Sequence, residues 1–284
     1  MRKIQSKQKD NDPLVSVIIP SYNCAQWISD TIQSIIDQTY SNIEIIVVDD
    51  CSTDNTYEII SKFNNVKYIK NSMNMGECIT SRRGFDESKG NYICRLSADD
   101  MYANINKIKN QVNIMEKTNT DWSYNSINCI GETLKTSIIL NYFWMPIPHK
   151  FGNKLFLIYF NNIILKFPYF AFLMLFFRNP VNSSTLMFKR SSYMKSEKWS
   201  SGKRRTDCDG LLLYNLFLKR FKCISIQELG SFYRIHSNQM SYNPKYIIDI
   251  YENKREVINK VLNEDYPLWL KFAVKIIRKI KNLK

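Results

Sequence analysis

Three short polar clusters each follow an apolar run: Pro20-Ser21-Tyr22-Asn23, Asp49-Asp50-Cys51-Ser52 and Asp99-Asp100. Any one of them reads as a capped turn, because Asp, Asn and Ser favour such places. Three in succession point to chemistry. Adjacent carboxylates at Asp99 and Asp100 repel each other unless a cation sits between them and an anion. A hard divalent ion, Mn²⁺ or Mg²⁺, takes oxygen ligands from carboxylate and phosphate alike, and it neutralises a departing diphosphate as a Lewis acid. Asp50 can accept from a base or ribose donor, and Tyr22 can stack on a base. Either Arg82 or Arg83 can meet phosphate charge. Their bland alternative is a solvated helix face.

These residues need a frame that gathers them. Leu14–Ile19 is a β-branched apolar run that Pro20 should stop, and Ile43–Val48 and Tyr92–Leu96 are of the same kind. Such runs suit strands buried on both faces of a parallel sheet. Between them, Trp27 to Ile36 and Ile79 to Glu87 carry helical spacing, the second ended by Gly90, and Ser52-Thr53-Asp54 can cap a helix through Ile60. Val66–Ile69 supplies one more strand. The alternation predicts an α/β fold with a mostly parallel sheet flanked by helices, and ligands in such sheets bind beyond the carboxyl ends of the strands. All three clusters fall there.

The chain has 284 residues and a net charge of +14, which asks for an anionic partner without naming it. A nucleic acid is not expected, since no basic-aromatic recognition motif stands outside the tail. The seven cysteines form no C-x-x-C pair, and the charged start from Met1 to Asp12 lacks an apolar core, so a cytosolic setting is expected. The region 143–177 is aromatic and aliphatic but broken by Asn161, Asn162, Lys166 and Pro168. A spanning helix needs roughly 20 mostly apolar residues, so core helices or a membrane-dipping segment are expected instead. In the tail, Trp269, Phe272, Ala273, Ile276 and Ile280 share one helical face, with Lys271, Lys275, Arg278 and Lys279 largely off it. That pattern fits peripheral docking on an anionic membrane surface, at the inner face of the cell membrane; the alternative packs the stripe on the rest of the protein.

Val15–Asn23 and Val47–Thr56, followed in order by Asn74-Met75-Gly76, Gly84, Gly90–Ile93 and Leu96–Asp100, resemble the signatures of the family 2 glycosyltransferases, inverting nucleotide-sugar enzymes of GT-A fold. The resemblance is dense over residues 14–105 and patchy from Asn179 to Ser241. It implies a UDP-sugar donor and a glycan acceptor, possibly lipid-linked, in bacterial surface-polysaccharide assembly. Asp99 and Asp100 would be the metal- and nucleotide-binding pair, with Asp100 the metal ligand. Pro20, Tyr22, Asp49 and Asp50 would line the nucleotide pocket. Relatives carry an acidic pair whose Asp deprotonates the acceptor hydroxyl; here Thr206-Asp207-Cys208-Asp209-Gly210 offers Asp209 or Asp207, without the Glu. His236, in a further signature from Tyr233 to Ser241, could reach metal or diphosphate. Ser81-Arg82 departs from a common Arg-Asn. A non-catalytic GT-A-like subunit of a glycan-synthesis complex is the rival reading. The expected organisation is a polar arm (1–12), a nucleotide-sugar-binding half (13–130), an acceptor half (131–240) and a helical basic tail (241–284).

Overall fold

The computed structural model describes residues 12–131, 165–177, 181–196, 208–239 and 244–283, and gives only the backbone of 208, 209, 244–247 and 249. The arm before Asp12, the 143–164 part of the aromatic region and Asp207 lie outside the described residues. The strands are β1 (Val15–Ser21), β2 (Ile43–Asp49), β3 (Val66–Lys70), β4 (Tyr92–Arg95), β5 (Met101–Tyr102), β6 (Trp122–Ile130), β7 (Met187–Lys189) and β8 (Cys223–Arg234). The helices are α1 (Ile28–Ile36), α2 (Thr56–Ile60), α3 (Glu77–Glu87), α4 (Lys107–Thr118), α5 (Pro168–Leu175), α6 (Arg190–Lys195), α7 (Cys208–Leu218), α8 (Pro244–Asn263) and α9 (Leu268–Ile280).

Among the described residues the strands form one sheet in the order β3-β2-β1-β4-β7-β6-β8-β5. Strands β1 to β4 pair in parallel, as does β6 with β8, while β7 and β5 run against their neighbours. The sheet is therefore mixed, with its parallel half built from the first hundred residues. Strand β1 shows why that half reads as unbroken apolar sequence. Val15, Val17 and Ile19 face one core cluster with Ile28, Ile32 and Ile108. Ile18 faces the other, with Phe85, Trp122 and Phe188. Both faces are covered, and each such side chain buried contributes about 1.5–3 kcal/mol.

Two local expectations shift. Strand β1 continues through Pro20 to Ser21, with Pro20 opposite Val48. A proline removes one N–H but stays extended, so near a strand end it costs a single ladder bond. Helix α3 starts at Glu77 rather than Ile79, directly after Gly76, whose φ of 86° only glycine adopts freely. Close packing explains Gly84: an added Cβ would lie 2.2 Å from the Ile18 side chain, so α3 rests directly on β1.

The described end of the aromatic region is partly core. In and just after α5, Phe172 and Phe176 pack edge-on or tilted against Tyr214 of α7, at 5.6 and 5.0 Å between ring centroids. No helix among the described residues is long and apolar enough to cross a membrane.

Candidate active site

The parallel register brings the three polar clusters to one edge of the sheet. Ser21 lies opposite Asp49 and Ile18 opposite Arg95, so β1, β2 and β4 all end on the same side. The loops that follow are laced together. The Asn23 amide donates to Ser52 Oγ at 2.9 Å, and Asn23 Oδ1 accepts from the Thr53 amide at 2.9 Å. Asp54 accepts from the Ala25 and Thr56 amides, joining the first loop to the start of α2. Asn23 and Cys51 sit at φ of 51° and 66°, which these tight turns require.

The Asp49-Asp50 pair is buried and fully engaged. Asp49 accepts from the Ser52 amide at 3.0 Å and from Tyr68 Oη at 2.6 Å. Asp50 accepts from Asn71 Nδ2 (2.8 Å), the Met75 amide (2.7 Å) and the Gly76 amide (2.7 Å). It thereby fixes the 71–76 loop and the entry to α3. Pro20 is buried within β1, whereas Tyr22, 47% exposed, flanks the edge.

The Asp99-Asp100 pair is built differently. Thr31 Oγ1 lies 2.9 Å from the Ala98 carbonyl and 2.7 Å from that of Asp100, which ties the turn to α1. Asp100 is buried, and its carboxylate accepts from the Arg234 amide at 3.0 Å and from Ser184 Oγ. Burial, and then the charge of Asp99, push the Asp100 carboxyl well above the usual carboxylate range. Asp99 keeps 24% of its side chain exposed, and its Oδ2 is 3.0 Å from Nε2 of the buried His236. The His236 ring packs tilted against Trp27, at 4.0 Å between ring centroids. In the neutral ring, a proton on Nε2 facing the carboxylate leaves Nδ1 as an acceptor. That Nδ1 is buried with no hydrogen-bond partner among the described residues.

Several groups absent from the sequence expectations hold this pair. Arg234 Nε donates to the Asp99 carbonyl at 2.9 Å, and its guanidinium lies 3.5 Å from Asp30. Arg95, nearly buried, pairs with Glu77 and donates to Ser97 Oγ (3.2 Å) and Ser183 Oγ. Its Nε is 3.4 Å from Ser81 Oγ. Only the position of Arg95 at the end of a strand, shortly before Asp99, marked it in sequence.

The two candidate phosphate arginines point to other partners. Arg82 lies 3.7 Å from Asp86 on the same helix, and Arg83 donates to the Lys70 carbonyl (3.0 Å) and Asn71 Oδ1 (2.6 Å). The backbone of Asp209 opens α7, but its side chain, like Asp207, lies outside the described residues.

The Asp99-Asp100 turn fits a divalent cation. Burial, and then the neighbouring charge of Asp99, disfavours the Asp100 carboxylate, so a cation there would relieve it, and the buried Nδ1 of His236 carries a lone pair without a partner among the described residues. Among the described residues no group of three or more His, Cys, Asp or Glu is set to hold a metal. Mg²⁺-type ions need only one or two carboxylates when substrate phosphates and water complete the shell.

Comparison with known proteins agrees with this frame. Over 115 residues the chain is 41% identical to the UDP-Glc:alpha-D-GlcNAc-diphosphoundecaprenol beta-1,3-glucosyltransferase WfaP of Escherichia coli, covering 40% of this chain and 45% of that protein. Over 126 residues it is 32% identical to the putative teichuronic acid biosynthesis glycosyltransferase TuaG of Bacillus subtilis, covering 42% and 49%. The chain thus spans about half the length of these relatives. An uncharacterized glycosyltransferase of Haemophilus influenzae matches over 262 residues at 31% identity, across 90% of this chain and 76% of that one. In fold, S. aureus TarS 1-349 in complex with UDP-GlcNAc aligns with a TM-score of 0.68 at 18% identity, over 95% of this chain and 72% of that one. The mannosyltransferase PcManGT of Pyrobaculum calidifontis, in complex with GDP-Man and Mn²⁺, aligns at 0.62 and 14% identity, over 96% and 70%. The GT-A-like architecture is therefore shared with both. A family profile described as Glycosyl transferase family 2 matches residues 16–175, more than half of the sequence, and the chain belongs to that family.

Proposed function

We propose that this chain transfers a sugar from a UDP-sugar to a hydroxyl of a lipid-linked glycan acceptor, with inversion, in bacterial surface-polysaccharide assembly. The observation that carries the reading is the Asp99-Asp100 turn beyond the parallel strands, with Asp100 buried, its carboxyl raised, and His236 beside Asp99. Support for the donor and acceptor classes comes from the UDP-GlcNAc bound to TarS and the diphosphoundecaprenol-linked substrate in the WfaP name. On this reading the enzyme works at the cytoplasmic face of the membrane, where such an acceptor is anchored.

Ser184 and the Arg234 amide aim the Asp100 carboxylate, and Asp99 orients the His236 ring. Mn²⁺ or Mg²⁺ held by Asp100 and His236, with substrate phosphate completing its shell, would supply Lewis-acid neutralisation of the leaving diphosphate. Tyr22, exposed at the strand edge, stacks on the base, and the Asp50-anchored loop shapes the pocket wall. Asp209, or Asp207, takes the acceptor hydroxyl proton. The freed oxygen bonds to the anomeric carbon as the bond to the nucleotide diphosphate breaks on the opposite face, which inverts the configuration.

Titration calorimetry with UDP, with and without Mn²⁺, followed by transfer assays with a panel of nucleotide sugars and a GlcNAc-diphospholipid acceptor, tests this. Metal-strengthened UDP binding and one active donor are expected. UDP binding without transfer to any acceptor would turn the reading toward a scaffold.

A further inference from the structure

The last helix carries three distinct sectors. Leu270, Val274 and Ile277 are buried in the core. At 3.6 residues per turn, Trp269, Phe272, Ile276 and Ile280 lie on a different side, and there they are exposed, Phe272 by 67% and Trp269 by 54%. Lys271, Lys275 and Lys279 occupy the third side. The apolar stripe noted in the sequence is thus not the packing face, and the helix is apolar on two sides.

A second exposed apolar strip lies on α5 and its flanks. Phe167, Phe170, Met174 and Phe177 are all exposed, Phe167 by 61%, while Ala171, Phe172 and Leu175 face the core. The two strips adjoin. Tyr169 meets Trp269 edge-on at 5.9 Å between ring centroids. At the other end, Lys281 Nζ lies 5.0 Å over the Phe177 ring. Contacts at both ends set α5 and α9 side by side and in the same direction, their inner sides in one core cluster. Together they present more apolar surface than single scattered residues explain.

Charge identifies the occupant. From Pro267 to Lys284 there are six Lys or Arg residues and no Asp or Glu, and between 165 and 177 the only charged residue is Lys166. A protein partner of ordinary composition needs no such one-signed rim. An anionic bilayer does: its acyl boundary accepts the aromatic and aliphatic groups, and its surface charge attracts each Lys at headgroup level. We propose that α5 and α9 form one composite docking surface for an anionic phospholipid bilayer, with aromatic groups inserted and lysines at headgroup level. Docking needs no catalysis; it rests on the transferase reading only for its purpose, presentation of a lipid-linked acceptor.

The full chain should co-sediment with phosphatidylglycerol-containing vesicles at low salt, in the absence of any sugar nucleotide. Binding should fall at least tenfold on vesicles of neutral lipid, and likewise in high salt. The triple variant Phe272→Ser, Ile276→Ser, Ile280→Ser should lose at least tenfold in vesicle affinity with a nearly unchanged melting temperature, because these side chains are exposed. Phe167→Ser with Phe170→Ser should weaken binding too, since the surface has two helices. The proposal is overturned if wild type stays in the supernatant at low salt, whether because residues 132–164 or a second copy cover the patch. It also fails if the folded triple variant binds as wild type does, or if only the α9 substitutions matter. Vesicle binding with no transfer activity would leave docking standing and remove only the transferase reading.

Discussion

Two Asp-Asp pairs end neighbouring stretches of the same sheet, and they finish in opposite condition. Asp49 and Asp50 meet a full set of donors from their own surroundings: Ser52, Tyr68, Asn71 and the amides of Met75 and Gly76. Asp100 instead is raised well above the carboxylate range, by burial first and then by the charge of Asp99, and Asp99 is half shared with an imidazole. The same dipeptide at the same kind of strand end is a brace in one case and an unbalanced charge in the other. A carboxylate saturated by amides has little left for a ligand; one held against a second charge is improved by a cation. The loops around the first pair are thereby braced by the chain's own donors, and on the proposed reading the second pair is the one that a cation would relieve.

The largest effect should separate the pairs at once. Asp100→Asn removes a buried charge that the fold does not welcome, and an amide still accepts from the Arg234 amide. Its melting temperature should equal or exceed that of wild type, while transfer falls by about 10⁴, since charge stabilisation by a metal is worth several kcal/mol and 1.36 kcal/mol is tenfold. Excess EDTA should do the same to wild type. Full turnover by the variant or in EDTA would take the metal out of the mechanism. Next in size is the base: Asp209→Asn should cost roughly 10²–10⁴ in transfer with UDP affinity unchanged. If Asp207→Asn is dead and Asp209→Asn active, the roles swap.

Asp50→Ala should act on stability first. It leaves Asn71 Nδ2 and two backbone amides without their acceptor, and an unsatisfied buried donor costs about 1–3 kcal/mol. With partial relaxation we expect a loss of about 3 kcal/mol, or roughly 6–12 °C in melting temperature. UDP affinity should fall only in proportion to the loosened loop. A variant as stable as wild type that no longer binds UDP would make Asp50 a nucleotide ligand and erase the contrast between the pairs.

How much of this was legible follows the range of the interactions. The strands β1, β2 and β4 and their terminal clusters stand out because each is a short apolar run covered on both faces, a local pattern. The partners that decide how Asp99 and Asp100 behave come from far along the chain: Ser184 is 84 residues from Asp100, and Arg234 is 134. They arrive on the turn before β7 and at the end of β8, and no periodicity in sequence announces that β8 will pair in parallel with β6 and deliver Arg234 to the turn after β4. The tail shows a different limit. Its apolar stripe was visible, but hydrophobic spacing cannot say which of two apolar sides packs, and the core took Leu270, Val274 and Ile277 instead. The arginines of α3 show a third. Arg82 and Arg83 are adjacent on one helix, so sequence offered both to phosphate, and side-chain direction sends one along the helix and the other to the β3 edge.

That last distinction gives the smallest and sharpest test. Arg83 donates to Asn71 Oδ1, and Asn71 in turn donates to Asp50, so Arg83 belongs to the braced half of the comparison. Arg82 is more than a third exposed and lies beside Asp86 at 3.7 Å. An exposed pair of this kind is worth roughly 0–1 kcal/mol and is screened by salt. Arg82→Ala should therefore leave both the melting temperature and UDP affinity nearly unchanged, within about twofold in Kd. Arg83→Ala should lower stability by about 1 kcal/mol, through the loop rather than through the ligand, and its loss should not add to that of Asp50→Ala because both act on Asn71. A tenfold loss of UDP affinity in Arg82→Ala, about 1.4 kcal/mol, would show that the side chain swings from Asp86 to the diphosphate when the nucleotide binds. The cationic half of the donor site would then lie on α3, facing the acidic pair across the leaving group.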